Sequence, residues 1–307
     1  MNMTTYRFHQ LDVFTRTPLK GNPLAVFPDA RGLDEPTMQA LAREMNLSET
    51  TFITESRDAT KKVRFFTPSS ELPLAGHPTV GTWWLLAERK LIDAPANGEF
   101  RITQETKAGV LPVRITMADG RPTRVVMTQA SPQFEDPIAD YTKLGRALGG
   151  DAKTVGRKPG PQVVSTGVPQ MMIPIKSLEI LRNLPSGGTG MALGDFLRSH
   201  GTDCAMCFAK ETENSDATVH CRMFAPGIGV AEDPATGSAS GALGCYLVWH
   251  NIVRPHNGVA RIVIEQGLEI GRDSRIEVEI EVGNGGEITE VRVGGEAVAI
   301  IEGEVRL

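Results

Sequence analysis

Two stretches of this chain, far apart in sequence, carry the same residues in the same order. Arg64-Phe65-Phe66-Thr67-Pro68 recurs as Arg222-Met223-Phe224-Ala225-Pro226, both of the form R-x-F-x-P. Downstream, Glu71-x-Pro73-x-x-Gly76 recurs as Glu232-x-Pro234-x-x-Gly237, and an apolar run follows each. Upstream, Gly21-Asn22-Pro23 matches Gly167-Val168-Pro169, each leading into a strand-like run. One such match is chance, but three in order at a slowly drifting offset define two structurally equivalent halves. A chain of 307 residues has room for two domains of ordinary size. The division falls near Met127–Pro137, and the stretch Gln129–Pro137, with its Pro and Asp residues, reads as the hinge.

Period-two alternation predicts strands over Val63–Phe66, Val110–Met117, Arg124–Thr128, Arg261–Glu265, Arg275–Val282 and Ala297–Leu307. In Arg275–Val282 it is strict, with Ile276, Val278, Ile280 and Val282 on one face, and such half-buried strands point to antiparallel sheet. Helical patterns are fewer. One starts at the N-cap Asp34 with Pro36 in its first turn and ends near Asn46; a second follows Gly76-His77-Pro78; a third lies near Leu193–His200; a fourth follows Gly237-Ser238. Few helices among many amphipathic strands make the fold class α+β.

Composition narrows the function. Hydrophobic residues make up 40% and charged residues 22%, the profile of a globular chain. The net charge is −5 and no basic run exceeds Lys61-Lys62, so neither a nucleic acid nor a membrane surface is an expected partner. No apolar stretch is long enough to cross a bilayer, and the polar stretch Met1 to Gln10 lacks a signal-peptide core. With four cysteines and no export signal, the expectation is a cytoplasmic protein with reduced thiols.

The repeated Gly sites draw the chemistry together. Ala75-Gly76-His77-Pro78-Thr79 and Thr236-Gly237-Ser238-Ala239-Ser240 each open a helix whose first N–H groups form an anion site without Lys or Arg. Either alone would be an ordinary helix cap; their equivalence favours two helix ends converging on a substrate carboxylate. His77 follows Gly76, and Asp233 precedes Pro234 in the equivalent turn. Only His has an unperturbed pKa near neutrality, so His77 needs little tuning to exchange protons. Glu49 lies between the first helix and a strand beginning near Thr51; lining up Phe52 with Phe208 puts its counterpart at Ala205, so the carboxylate belongs to one half only. To act as a base it needs its pKa raised by partial burial. Cys204-x-x-Cys207 with His220-Cys221 can be drawn as a zinc site, but residues three apart on a strand point to opposite faces, and buried thiols are the better reading. No metal and no cofactor are expected, since the dinucleotide, Walker A and H-E-x-x-H motifs are missing.

The combination resembles the PhzF-like (phenazine-biosynthesis) family within the diaminopimelate epimerase-like superfamily. The resemblance rests on Asp12-Val13-Phe14, Gly21-Asn22-Pro23-Leu24-Ala25-Val26, Asn46-Leu47-Ser48-Glu49-Thr50, Arg64–Pro68, Leu74-Ala75-Gly76-His77-Pro78-Thr79 and Glu232-Asp233-Pro234-Ala235-Thr236-Gly237-Ser238-Ala239. It implies two pseudo-symmetric lobes, each an antiparallel sheet wrapped around a central helix, with the active site in the cleft. It also implies that the C-terminal strand returns to the first lobe, giving residues 1–128 plus about 297–307 as one lobe and 129–296 as the other. Homodimers are common in the family. Glu49 matches the family's general acid/base; His77 and Asp233 match its polar shell; Ser48, Gly76, Gly237 and Ser238 fall at substrate-binding positions. Epimerases and racemases of the superfamily place a cysteine at the head of each helix, where this chain has Ala75 and Thr236, so two-cysteine racemisation is not expected. The reading is a cofactor-independent isomerase of a small carboxylated metabolite, of the 2,3-dihydro-3-hydroxyanthranilate isomerase kind. A one-base epimerase or dehydratase of hydroxy- or amino-acids and a non-catalytic metabolite-binding relative stay open beside it.

Overall fold

The computed structural model describes residues 4–307, so the first three residues of the polar Met1–Gln10 stretch lie outside it. The chain divides into two compact units: the described residues up to Thr128 with Gly294–Leu307, and Gln129–Val293. Both are α+β. Among the described residues no helix is long and apolar enough to cross a membrane.

The first unit runs β1 (Thr5–Val13), β2 (Asn22–Phe27), α1 (Glu35–Met45), β3 (Glu49–Thr54), β4 (Lys61–Phe66), β5 (Glu71–Leu72), α2 (Gly76–Glu88), β6 (Gly98–Thr106), β7 (Gly109–Ala118) and β8 (Arg121–Gln129). The C-terminal strand, Ala297–Arg306, pairs antiparallel with β1. Asp34 caps α1 by accepting from the Thr37 N–H, and Asn46 closes it in the left-handed conformation. On one side of the sheet, Met38, Leu41 and Ala42 of α1 pack on Phe27, Phe52 and Phe66. The other helix, α2, is buried all round from His77 to Ala87, as its nearly unbroken apolar sequence requires. A Cβ on Gly81 would sit 2.6 Å from a Leu24 methyl and 2.7 Å from a Val13 methyl, so any side chain there would force those neighbours on β2 and β1 to shift.

The second unit runs β9 (Gln133–Pro137), α3 (Tyr141–Ala147), β10 (Gln162–Ser165), β11 (Pro169–Pro174), α4 (Leu178–Arg182), α5 (Met191–Arg198), β12 (Ala205–Ala209), β13 (Val219–Ala225), β14 (Val230–Asp233), α6 (Gly237–Trp249), β15 (Val259–Gln266), β16 (Ser274–Val282) and β17 (Ile288–Gly295). Helix α6 is its buried counterpart of α2.

The two units share one wiring. In the first, β2–β3 and β4–β6 pair parallel while β1–β2, β3–β4, β4–β5 and β6–β7 pair antiparallel. In the second, β11–β12 and β13–β15 are parallel while β10–β11, β12–β13, β13–β14 and β15–β16 are antiparallel. The sheets are therefore mixed where alternation predicts purely antiparallel pairing. Each parallel pair is separated by a crossover that contains a helix, which returns the chain in the same direction.

The repeated motif has a structural explanation. Arg64 of β4 forms a fork on Glu71 of β5, Nε and Nη2 donating at 2.7 and 2.6 Å, and Arg222 of β13 does the same to Glu232 of β14 at 2.9 and 2.6 Å. Each guanidinium also lies over the Phe two residues on, at 5.1 Å from Phe66 and 5.0 Å from Phe224. The staple fixes the short strand that delivers the chain to the next helix. The expected hinge, Gln129–Pro137, is mostly strand: β8 runs to Gln129, and β9 pairs with β10, leaving only residues 130–132 between them.

Candidate active site

In the first unit the parallel ladder of β2 and β3 places Glu49 opposite Leu24, at the start of β3. The N-cap of α2, Ala75, is extended and supplies no side-chain cap, and the first turn holds no acidic residue. The first helical bond runs from the Thr79 N–H to the Ala75 carbonyl, so the amides of Gly76 and His77 point off the helix end, Pro78 having none. Thr79 Oγ1 also donates to the Ala75 carbonyl at 2.8 Å and accepts from Gln104 Nε2 at 3.3 Å, which anchors that turn to β6.

His77 Nε2 approaches Glu49 Oε2 to 3.3 Å, with the Glu49 side chain 17% exposed and His77 6%. Burial pushes His77 down to about 3, so the ring is neutral at physiological pH. This differs from the expectation of a histidine poised near neutrality: the apolar surroundings of α2 outweigh the intrinsic pKa. A neutral ring facing a carboxyl suits either protonation state of Glu49, donating to the carboxylate in one tautomer and accepting from the acid in the other. Ser48 is exposed, and its hydroxyl donates to buried Asn22 Oδ1 at 3.1 Å, tying the turn before Glu49 to the Gly21-Asn22-Pro23 motif.

In the second unit Thr236 takes the N-cap place of Ala75, again without a side-chain cap, and α6 also lacks an acidic first turn. Its first helical bond is Ser240 N–H to the Thr236 carbonyl, so the Gly237, Ser238 and Ala239 amides face out of the helix end. Asp233 accepts from the Thr236 hydroxyl through Oδ2, and its carbonyl accepts from Gln266 Nε2 at 2.8 Å. Its carboxylate thus braces the turn that opens α6. Gln129 Nε2 donates to the Gly237 carbonyl at 2.9 Å, holding the same turn from β8.

The ladders also correct the counterpart of Glu49. Arg64 faces Phe52 across β3 and β4, and its equivalent Arg222 faces Cys207 across β12 and β13. Phe52 therefore corresponds to Cys207, not Phe208, and Glu49 to Cys204, not Ala205. Matching Phe to Phe slipped the register by one residue, which moves every side chain to the other face. Cys204 is buried, and desolvation, with Asp203 and Asp233 nearby, pushes its thiol up to about 12, so it is no thiolate base at neutral pH. All four cysteines are buried free thiols, and among the described residues no group of three or more His, Cys, Asp or Glu side chains is placed to hold a metal.

The comparisons with known proteins agree with this fold. The family profile for phenazine biosynthesis-like proteins matches residues 11–303. The chain is 38% identical, over 98% of both sequences, to an uncharacterised isomerase of Clostridium acetobutylicum. It is 36% identical, over 98% of its own length and 100% of the other, to the trans-2,3-dihydro-3-hydroxyanthranilate isomerase of Pseudomonas aeruginosa. The crystal structure of a PhzF-family phenazine biosynthesis protein from Bacillus anthracis matches with a TM-score of 0.89 over 99% of both chains, at 31% identity. The chain belongs to the PhzF-like family and is an isomerase.

Proposed function

We propose that this isomerase works without a cofactor, moving one proton within a small carboxylated metabolite of the 2,3-dihydro-3-hydroxyanthranilate kind. The observation that carries the reading is the Glu49–His77 pair, a part-buried carboxyl 3.3 Å from a buried neutral imidazole at the uncapped start of α2. Glu49 as carboxylate takes a proton from a substrate carbon. The electron pair left behind is delocalised as the double bond shifts, and the protonated Glu49 returns the proton to another carbon of the same molecule. Substrate and product have the same composition, and the enzyme ends as it began.

His77 holds Glu49 in place in both states by exchanging donor and acceptor roles. The amide of Gly76 in the first unit and those of Gly237 and Ser238 in the second are the proposed substrate-binding groups, Ser48 and Asn22 position the turn that carries Glu49, and Asp233 keeps the α6 turn in shape. The homodimer common in the family is the proposed working assembly. Support for the substrate class comes from the Pseudomonas aeruginosa relative, whose name states that activity.

Incubation with trans-2,3-dihydro-3-hydroxyanthranilate in D₂O tests the reading. A changed ultraviolet spectrum supports it, and deuterium enters the newly protonated carbon only as far as protonated Glu49 exchanges with solvent before redelivery. Deuterium at a stereocentre with an unchanged spectrum identifies an epimerase instead, and no turnover of this or other small carboxylates overturns the proposal.

A further inference from the structure

The equivalence of the two units isolates a residue that the proton shuttle does not use. Since Gly76 corresponds to Gly237, His77 corresponds to Ser238; since Pro23 corresponds to Pro169, Leu24 corresponds to Gln170. In the first unit the strand pair β2–β3 presents Glu49 to His77. In the second, β11 presents Gln170 to Ser238, with Nε2 donating to Ser238 Oγ at 3.4 Å. A neutral amide and a hydroxyl thus meet at the start of α6, whereas an acid and an imidazole meet at the start of α2.

Gln170 is 1% exposed, and its side-chain carbonyl Oε1 has no hydrogen-bond partner among the described residues. A buried amide oxygen without a partner is costly and uncommon, so this acceptor calls for an explanation. Because Oε1 and Nε2 share one amide carbon, Oε1 belongs to the same amide group that contacts Ser238, the residue whose own N–H faces out of the α6 end. The outward-facing amides of Gly237 and Ser238 are donors and suit an anion; Oε1 is an acceptor and suits the opposite group. We infer that Gln170 is a specificity-determining residue, whose Oε1 accepts a hydrogen bond from an amino or hydroxyl group carried next to the substrate carboxylate. This rests on the proposed binding of that carboxylate at α6, and it narrows the substrate class to carboxylates with a neighbouring N–H or O–H donor.

Benzoate and 2-aminobenzoate differ only by such a donor, which makes them a matched pair of probes. Calorimetric dissociation constants are measured for both on the wild-type chain, Gln170→Met and Gln170→Leu, with thermal melts to confirm that each variant is folded. One hydrogen bond of ordinary strength predicts that the wild-type chain prefers 2-aminobenzoate by about tenfold. In a folded variant the preference falls to within about twofold while benzoate binding is retained, since only the donor's partner is lost. Equal binding of the two probes by the wild-type chain overturns the inference, as does a preference that survives both substitutions. Ser238→Pro, which removes one of the outward-facing amides, separates the two readings. If it leaves benzoate binding intact, carboxylate capture at α6 fails and the inference with it; if it weakens benzoate while Gln170→Met does not, carboxylate capture stands and the Gln170 comparison alone decides.

Discussion

The His77 imidazole lies 3.3 Å from the Glu49 carboxyl and is almost wholly withdrawn from water. For His77 the dominant influence is burial, which places its folded pKa at about 3 against an ordinary 6.5. The unfolded chain therefore binds a proton below about 6.5 that the folded chain refuses until about 3, and this residue costs stability progressively as pH falls through that window. At neutral pH the ring is uncharged in the folded state. NMR titration of the ¹⁵N-labelled His77 ring is expected to show one neutral tautomer unchanged from pH 8 to pH 5; a protonation step near 6.5 would contradict the assignment. Glu49 and His77 were both legible in the sequence, because a Gly-His-Pro helix start and a carboxylate before a strand are local signals. Gln170 was not: a glutamine in an apolar strand carries no signal until the fold shows it buried beside Ser238. Its neighbour Pro169 had been picked out by the repeat, which was the one pointer available.

At the scale of elements, most of the secondary structure was readable and the exceptions have causes. Strands β4, β7, β8, β15, β16 and the C-terminal strand alternate clearly, and α1, α2, α5 and α6 have start signals or apolar stripes. Helices α3 and α4 span 7 and 5 residues, too short for a 3.6-residue period to register. The parallel pairings were hidden because residue pattern reports burial of each face, not strand direction.

The β13–β15 pair shows how polar residues serve an element's interior. His220, fully buried, lies between Glu265 (Nδ1 to Oε1, 2.7 Å) and Glu269 (Nε2 to Oε1, 2.8 Å). Burial alone would lower its pKa, but the two carboxylates outweigh burial and raise it, while both carboxyls are held below their ordinary range. The histidine's contribution is complete below about 6.5 and lost as pH rises through its raised value; the carboxylates' contribution is complete above about 4.5 and lost as pH falls. The cluster is strongest between those limits. His220→Gln is expected to destabilise the fold by about 3 kcal/mol there, as breaking a buried ion pair does, and by less toward pH 9. Denaturant midpoints of both chains across pH 5 to 9 check this, and a gap that stays constant with pH would contradict it.

On the scale of the whole molecule, two units of one wiring carry different chemistry at matching places. Where the first has Glu49 and His77, the second has Cys204 and Ser238, and the second unit's thiol is held protonated by burial. The duplication was visible from three short motifs, because Arg–Glu staples and helix-opening glycines are fixed by geometry that few residues satisfy. The exact correspondence needed strand registers, which sequence matching does not supply. If one carboxyl does the proton transfer, the two equivalent positions must respond unequally to substitution. The most direct measurement is turnover of trans-2,3-dihydro-3-hydroxyanthranilate by Glu49→Gln and Cys204→Ala, with melting temperature and 2-aminobenzoate affinity recorded for each. The account predicts that Glu49→Gln lowers kcat by at least about 10³-fold while folding and binding persist, consistent with removal of a general base, and that Cys204→Ala keeps kcat within a few-fold of the parent. Near-normal turnover by Glu49→Gln would contradict it.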